Sequence, residues 1–179
     1  RGETDAIMVG IGTVLADNPR LTARGEYSPT TGRQPVRVVV DSNCRTPLDS
    51  ALLLEPGETL IASNRTAGTH DMPNSVTVEQ FPDSTGRVDL SSLLRHLGKI
   101  PVSSVLVEGG SRLTGALFDE GLVDRVVAFL SPSIIGGINS PSAVSGVGAS
   151  LISDMIRLSE VEVTSVGDDL LVSGYCLAE

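Results

Sequence analysis

Apolar positions along this chain switch between two spacings, and the switches predict its elements. Asp5–Val14 (DAIMVGIGTV) reads as a strand running into a glycine-containing turn. Val36–Val40 is a β-branched run ending at Asp41 and Ser42, the pattern of a strand covered on both faces. Thr59–Ser63 and Val76–Phe81 are further short strands. After Asp89, apolar residues recur at Leu90, Leu93, Leu94 and Leu97 and stop at Gly98. An Asp cap, an i, i+3, i+4, i+7 stripe and a terminal Gly predict a helix.

Ser104–Val107 predicts another buried strand, which meets Glu108-Gly109-Gly110. A helix follows over Ser111–Glu120 and stops at Gly121. Val126–Leu130, Val161–Val166 and Leu170–Tyr175 are strands. Gly167-Asp168-Asp169 turns the last two into a hairpin. The Gly- and Ser-rich stretch Gly136–Ser150 is a long surface loop. The order predicts an α/β class: a three-layer α/β/α domain with a mixed, mostly parallel sheet and a C-terminal antiparallel hairpin. No repeat or linker divides the chain, so residues 1–179 read as a single domain.

Composition narrows the function classes. The 179 residues carry 13 Lys+Arg and 22 Asp+Glu, a net charge of −9, with 40% hydrophobic residues. That is a globular profile, and no apolar run approaches the ~20 residues of a membrane span. An acidic chain with two Tyr, three Phe and no Trp lacks the basic face and stacking rings of a nucleic-acid binder. The charge is uneven. Residues 1–47 hold six Arg (Arg1, Arg20, Arg24, Arg33, Arg37, Arg45) against five acids, while residues 48–179 hold seven bases against seventeen. The Arg-rich stretch is either a reserve for an anionic ligand or a set of ordinary surface arginines. Cys44 and Cys176 form neither a disulfide framework nor a metal site, and without a secretory segment a cytoplasmic location is expected.

Three polar clusters sit at presumed C-terminal ends of strands, where open α/β sheets bind ligands. The first is V-L-V-E-G-G-S-R-L-T-G-A, residues 105–116. Its glycines admit close backbone approach, and the helix start offers N–H groups to a phosphate. A tight strand-to-helix turn explains the same residues. Glu108 is placed to hold substrate hydroxyls or amines, or to face solvent. The second is G-T-V-L-A-D-N-P-R-L-T-A-R, residues 12–24, a loop bearing Asp17, Arg20 and Arg24. The third is Asp41-Ser42-Asn43-Cys44-Arg45, whose Ser and Arg suit a phosphate monoester. Loop solvation accounts for each alone; together they favour one nucleotide-type site. His70 and His96 lie far apart, no G-x-S-x-G elbow occurs, and no spacing of His, Cys or carboxylates predicts a metal.

These segments, with Q-P-V-R-V-V-V-D-S and S-P-S-I-I-G-G, resemble the reductase domain of riboflavin biosynthesis, commonly the C-terminal half of a bifunctional deaminase/reductase. The resemblance runs in order over nearly the whole chain. It implies a dihydrofolate-reductase-like fold, NADPH as cofactor, and a homodimer. The implied reaction reduces the ribosyl group of 5-amino-6-(5-phosphoribosylamino)uracil to the ribityl compound. It further implies that Thr13, Asp17 and Ser42 contact NADPH, and that Gly110, Ser111, Arg112, Leu113, Thr114, Gly115 and Ala116 cradle its phosphates. Arg45 is added from charge, beside the adenosine 2′-phosphate. Arg1, Leu21 and Arg24 match substrate positions, the two arginines near the 5-phosphate, and Glu108 matches the acid that holds the substrate. Asp17 and Glu108 are the expected catalytic pair.

Family members begin with a further strand, an S-L-D-G-type motif and a helix before the point where Arg1 falls. The chain therefore reads as a reductase domain lacking that strand and helix, and possible fusion to a deaminase domain goes with the resemblance. Two other readings stay open: a reductase of the 2,5-diamino-pyrimidinone ribosyl phosphate or of a pterin, and a non-catalytic nucleotide-binding module of the same fold.

Overall fold

Three of the apolar runs become central strands buried on both faces. The computed structural model describes residues 1–24, 34–65 and 72–177; Arg33 and His70 lie outside the described residues. The chain divides into two compact units, Arg1–Leu113 and Thr114–Glu179.

The first unit is built on a five-stranded parallel sheet in the order β4-β3-β2-β1-β5. Its strands are β1 (Ala6–Gly10), β2 (Val36–Val40), β3 (Thr59–Ser63), β4 (Val76–Gln80) and β5 (Val105–Val107). Ala6, Ile7, Met8 and Val9 are wholly buried, as are Val38, Val39 and Ala62. Side chains alternate across the sheet. On one face Ile7, Val9, Val39 and Ile61 pack with Ile11 and Val14 of α1 (Ile11–Asp17) and with Leu52 and Leu53 of α2 (Ala51–Leu54). The opposite face carries Glu79, whose carboxylate meets His96 of α3 (Leu90–Leu97) at 3.3 Å. Leu90, Leu93 and Leu97 form the buried stripe of α3, each stabilising by about 1.5–3 kcal/mol through removal from water. Asp89 caps it as expected, accepting from the Ser92 N–H at 2.8 Å. Gly98, however, has φ −68° and does not supply a left-handed stop.

Two departures from the sequence reading lie here. The segment after β1 is a helix, not a turn: α1 starts at Ile11 with no intervening residue, and Asp17 is its last residue rather than part of a loop. Its Gly, Thr and Val are weak helix formers, so the burial of Ile11 and Val14 decides the conformation. The short α2 has no counterpart among the elements the sequence pattern predicts. It is held by a fully buried Arg37, which donates from Nε to Thr59 Oγ1 (3.0 Å), from Nη1 to Pro56 O (3.0 Å), and from Nη2 to Glu55 O (3.0 Å) and Gly57 O (2.7 Å). Burial pulls the guanidinium pKa down, with Glu55 opposing.

The second unit is antiparallel, in the order β6-β8-β7, with β6 (Arg125–Leu130), β7 (Leu158–Val166) and β8 (Asp169–Cys176). Gly167, at φ +62°, turns β7 into β8, giving the expected hairpin. β7 starts earlier than its alternation predicts because a register shift between Ser159 and Glu162, with Glu160 at φ +49°, breaks the pattern. Helix α4 (Ser111–Asp119) begins in the first unit and continues into the second. It ends as predicted at a left-handed Gly121, where Leu122 N–H reaches Leu117 O. The α/β class with parallel strands and a C-terminal antiparallel hairpin thus holds, the hairpin sitting in its own three-stranded sheet.

Candidate active site

Strand order marks where the site falls. Successive strands β1 to β4 step one way, and β5 then returns to pair with the other side of β1. The C-terminal ends of β1 and β5 therefore flank a topological switch point, the crevice in which such sheets bind ligands. α1 and the Glu108-Gly109-Gly110 turn both begin there. Thr13 Oγ1 accepts the Gly110 N–H at 3.0 Å, tying the two together.

The glycines of this turn differ in what they do. A Cβ on Gly109 would press on Leu113 Cδ2 at 3.1 Å, so that glycine serves packing. A Cβ on Gly110 would meet Thr13 Oγ1 at 3.5 Å, the atom that already accepts the Gly110 N–H. The first turn of α4 carries no acidic side chain, and its leading N–H groups lack intrahelical acceptors. The N–H groups of Ser111 and Arg112 thus fit a diphosphate such as that of NADPH, while Thr13 holds the Gly110 N–H and Gly110 O holds that of Leu113. Gly115 has a different reason to be glycine: the backbone of Ser145 and Gly146 lies where its Cβ would be. Leu113 is buried, and Thr114 and Ala116 are half-buried along the same helix.

On the other side of the turn, Glu108 accepts from Arg1 with both carboxylate oxygens, Nε to Oε1 at 2.7 Å and Nη2 to Oε2. The bond to Glu108 raises the Arg1 pKa, and partial burial opposes it. Arg1 Nη1 also donates to Thr22 O at 3.4 Å. Arg1, Gly2, Thr22, Ala23 and Arg24 line an open hollow of about 310 Å³. The two arginines expected near a substrate phosphate are therefore brought together, and one of them holds the acid expected at the substrate. Leu21 is buried at φ +53°, directly before this lining.

Other expected residues stand apart from these contacts. Asp17 is exposed at the end of α1. Ser42 and Arg45 follow β2; Ser42 O accepts from Asn64 N–H at 3.3 Å, and Arg45 is exposed. The Asp41 carboxylate next to them is fully buried and accepts from Thr46 N–H at 2.7 Å and Thr46 Oγ1 at 2.8 Å. Arg20 does not join the anion cluster. It pairs with Glu55 at 3.3 Å.

Asn18, within the segment the sequence reads as a loop, serves two helices. It takes φ +43° to close α1, and its Oδ1 accepts the Ala51 N–H at 2.8 Å, capping α2 from a distant segment. Its tolerance of left-handed backbone was the available signal; its partner, 33 residues on, was not. Among the described residues no three His, Cys, Asp or Glu side chains gather as a cation site, and no helix is long and apolar enough to cross a membrane.

Comparison with known proteins follows the same outline. The model of the family described as RibD C-terminal domain matches residues 1–172. The 2,5-diamino-6-ribosylamino-4(3H)-pyrimidinone 5′-phosphate reductase of Methanothermobacter thermautotrophicus is 40% identical over 174 residues, covering 96% of this chain and 80% of that protein. Riboflavin biosynthesis protein RibD of Actinobacillus pleuropneumoniae is 36% identical over 177 residues, covering 96% of this chain and 46% of its own length. The chain thus spans about half of that relative. Among solved structures, a diaminohydroxyphosphoribosylaminopyrimidine deaminase/5-amino-6-(5-phosphoribosylamino)uracil reductase from Thermotoga maritima superposes with a TM-score of 0.78 at 28% identity, over 99% of this chain and 46% of that one.

Proposed function

The chain belongs to the RibD C-terminal domain family, reductases of riboflavin biosynthesis, and from that premise we propose that it reduces the ribosyl group of a phosphoribosylamino-pyrimidine with NADPH. The preferred substrate in this reading is the 2,5-diamino-pyrimidinone, supported by the 40% identity to an archaeal reductase of that name. Deaminated 5-amino-6-(5-phosphoribosylamino)uracil is the second reading, favoured by the name of the Thermotoga relative. The observation that carries the proposal is the junction at the β1/β5 switch point. There Thr13 joins the Gly110 turn, and Glu108 lies on the same turn, held by Arg1.

When bound, NADPH would supply the hydride that turns C1′ of the ring-opened iminium into CH2, the C=N electron pair passing to the positively charged nitrogen, which keeps its hydrogen. The protein's part is placement. Ser111 and Arg112 hold the cofactor's diphosphate on the start of α4, with Gly110 shaping the turn beneath it, and Ser42 with Arg45 holds its 2′-phosphate. Arg1 and Arg24 hold the substrate phosphate at the hollow, so that the sugar runs from there toward Glu108. Glu108 orients the sugar by accepting its hydroxyl hydrogens. Asp17 moves the proton that O4′ takes as the ring opens. A homodimer and a fused deaminase belong to the same proposal.

Oxidation of NADPH, followed by its absorbance with the diamino and deaminated substrates side by side, tests it. Faster turnover of the diamino compound is expected. Faster turnover of the uracil would install the second reading, and tight binding of both substrates without any oxidation would leave a non-catalytic module.

A further inference from the structure

The hollow between Arg1 and Arg24 is bounded by main chain that would need support to keep two cations facing one ligand. Thr22 and Ala23 are buried, and Ala23 lies one residue before Arg24. Its main chain is gripped from both sides by Gln34: Oε1 accepts the Ala23 N–H at 2.8 Å, and Nε2 donates to Ala23 O at 3.2 Å. A primary amide does both from one side chain, because it carries an acceptor and a donor side by side on one planar group. A carboxylate could accept but not donate, and an apolar side chain could do neither.

Gln34 is itself braced. A Cβ built on Gly57 comes within 3.3 Å of Gln34 Cβ, so the Gln34 stem lies over that glycine at φ +111°. The Gly57 carbonyl in turn accepts from buried Arg37 at 2.7 Å. Three further contacts fix the same stretch: Asn18 to Ala51 N–H, Arg20 to Glu55, and Arg1 to Thr22 O. A rigid path thus runs from the core at Arg37, through Gly57 and Gln34, to the wall of the hollow. Backbone held at Ala23 sets where Arg24 emerges.

We propose that Gln34 is a positioning residue for the substrate's anionic end, holding Arg24 opposite Arg1 so that a phosphate monoester is recognised by both cations. It touches neither substrate nor cofactor. This rests on the reductase reading for its substrate and makes one demand beyond it. Loss of the Gln34 amide should weaken recognition of the phosphate while leaving chemistry at the sugar carbon in place.

The test compares wild type with Gln34→Met, which keeps the side-chain length and removes both hydrogen bonds. KM and kcat are measured for the phosphorylated substrate and for its phosphatase-treated counterpart, with thermal melting as a check on folding. Misplacing Arg24 predicts a KM for the phosphorylated substrate raised roughly tenfold or more. kcat should stay within about twofold, and KM for the dephosphorylated compound should not move, so the preference for phosphate falls. A folded Gln34→Met enzyme with an unchanged preference overturns the proposal. So does an equal loss on both substrates, which would mark a merely structural role.

Gln34→Asn, which keeps the amide but withdraws it by one methylene, should show the same fall and serves if the Met variant does not fold. Calorimetric titration with ribose 5-phosphate, needing no turnover, separates this idea from the functional reading. If wild type reduces neither pyrimidine, the reductase reading fails, yet a roughly tenfold weaker ribose 5-phosphate affinity in the Gln34 variants would still support the positioning role. Equal affinity in all three proteins would end it.

Discussion

Replacing Arg37 by Met would expose how far the site depends on a buried charge. The guanidinium has no solvent-exposed surface and makes four hydrogen bonds, three of them to the consecutive carbonyls of Glu55, Pro56 and Gly57. Hydrogen bonds from a charged donor contribute about 1.5–3 kcal/mol each, so four give roughly 6–12 kcal/mol gross. Desolvating the cation takes back several kcal/mol, and breaking one side of such a buried arrangement costs about 3–5 kcal/mol net. Met preserves most of the apolar stem, so the loss falls on the orphaned carbonyls and not on a cavity. Lys should recover only part of it, since an ammonium cannot present the same planar fork. Against a total stability of about 5–15 kcal/mol, the Met variant should show a large fall in urea midpoint with an unchanged slope. A loss below about 1 kcal/mol would refute the reasoning, because solvent or a local shift would then be satisfying those carbonyls.

Three other perturbations probe separate parts of the molecule. Asp5 accepts from the N–H and hydroxyl groups of Ser103 and Ser104, which hold its pKa at about 2. A carboxylate lowered in this way adds stability above its ordinary pKa, and that stability fades as pH falls from about 4 toward 2; Asp5→Asn should flatten this part of an acid-unfolding curve. Gly115→Ala should lower the melting temperature, by about 1–3 kcal/mol of overpacking against the Ser145 backbone, while an unchanged melt would mean the loop is free to move aside. In a double-mutant cycle on Arg1 and Glu108, the two-pronged but part-exposed pair should couple by about 1 kcal/mol in unfolding experiments at low salt; additive single losses would show that the pair is not formed in solution.

Much of the scaffold was legible because local pattern and burial agree. Thr59–Ser63 is a strand with the bounds its apolar run suggests, and Asp89 caps the helix its stripe predicts. α1 was illegible for the opposite reason: its sequence suits a strand and turn, and the apolar cluster under Ile11 and Val14 overrides that preference. Arg37 could not be told from a surface arginine, because arginines are mostly exposed and only the carbonyls of a distant turn explain its burial. At the candidate site, sequence identified residue types at strand ends. Which pairs meet, Thr13 with Gly110 and Arg1 with Glu108, depends on β5 returning beside β1. No spacing encodes that return. The Glu55 carboxylate beside Arg20 was not legible either, since the two lie 35 positions apart in the chain.

The junction of β1 and α1 leaves no slack. Gly10 is the last residue of the strand, still in register with Val40, and Ile11 is already the first residue of the helix. Thr13 is therefore placed by the ladder of the central strand rather than by a connecting loop, and a displacement of Met8 or Val9 would arrive at Gly110 almost undiminished. Substitutions deep in this strand, remote from any ligand, should then read as changes in turnover before they read as unfolding.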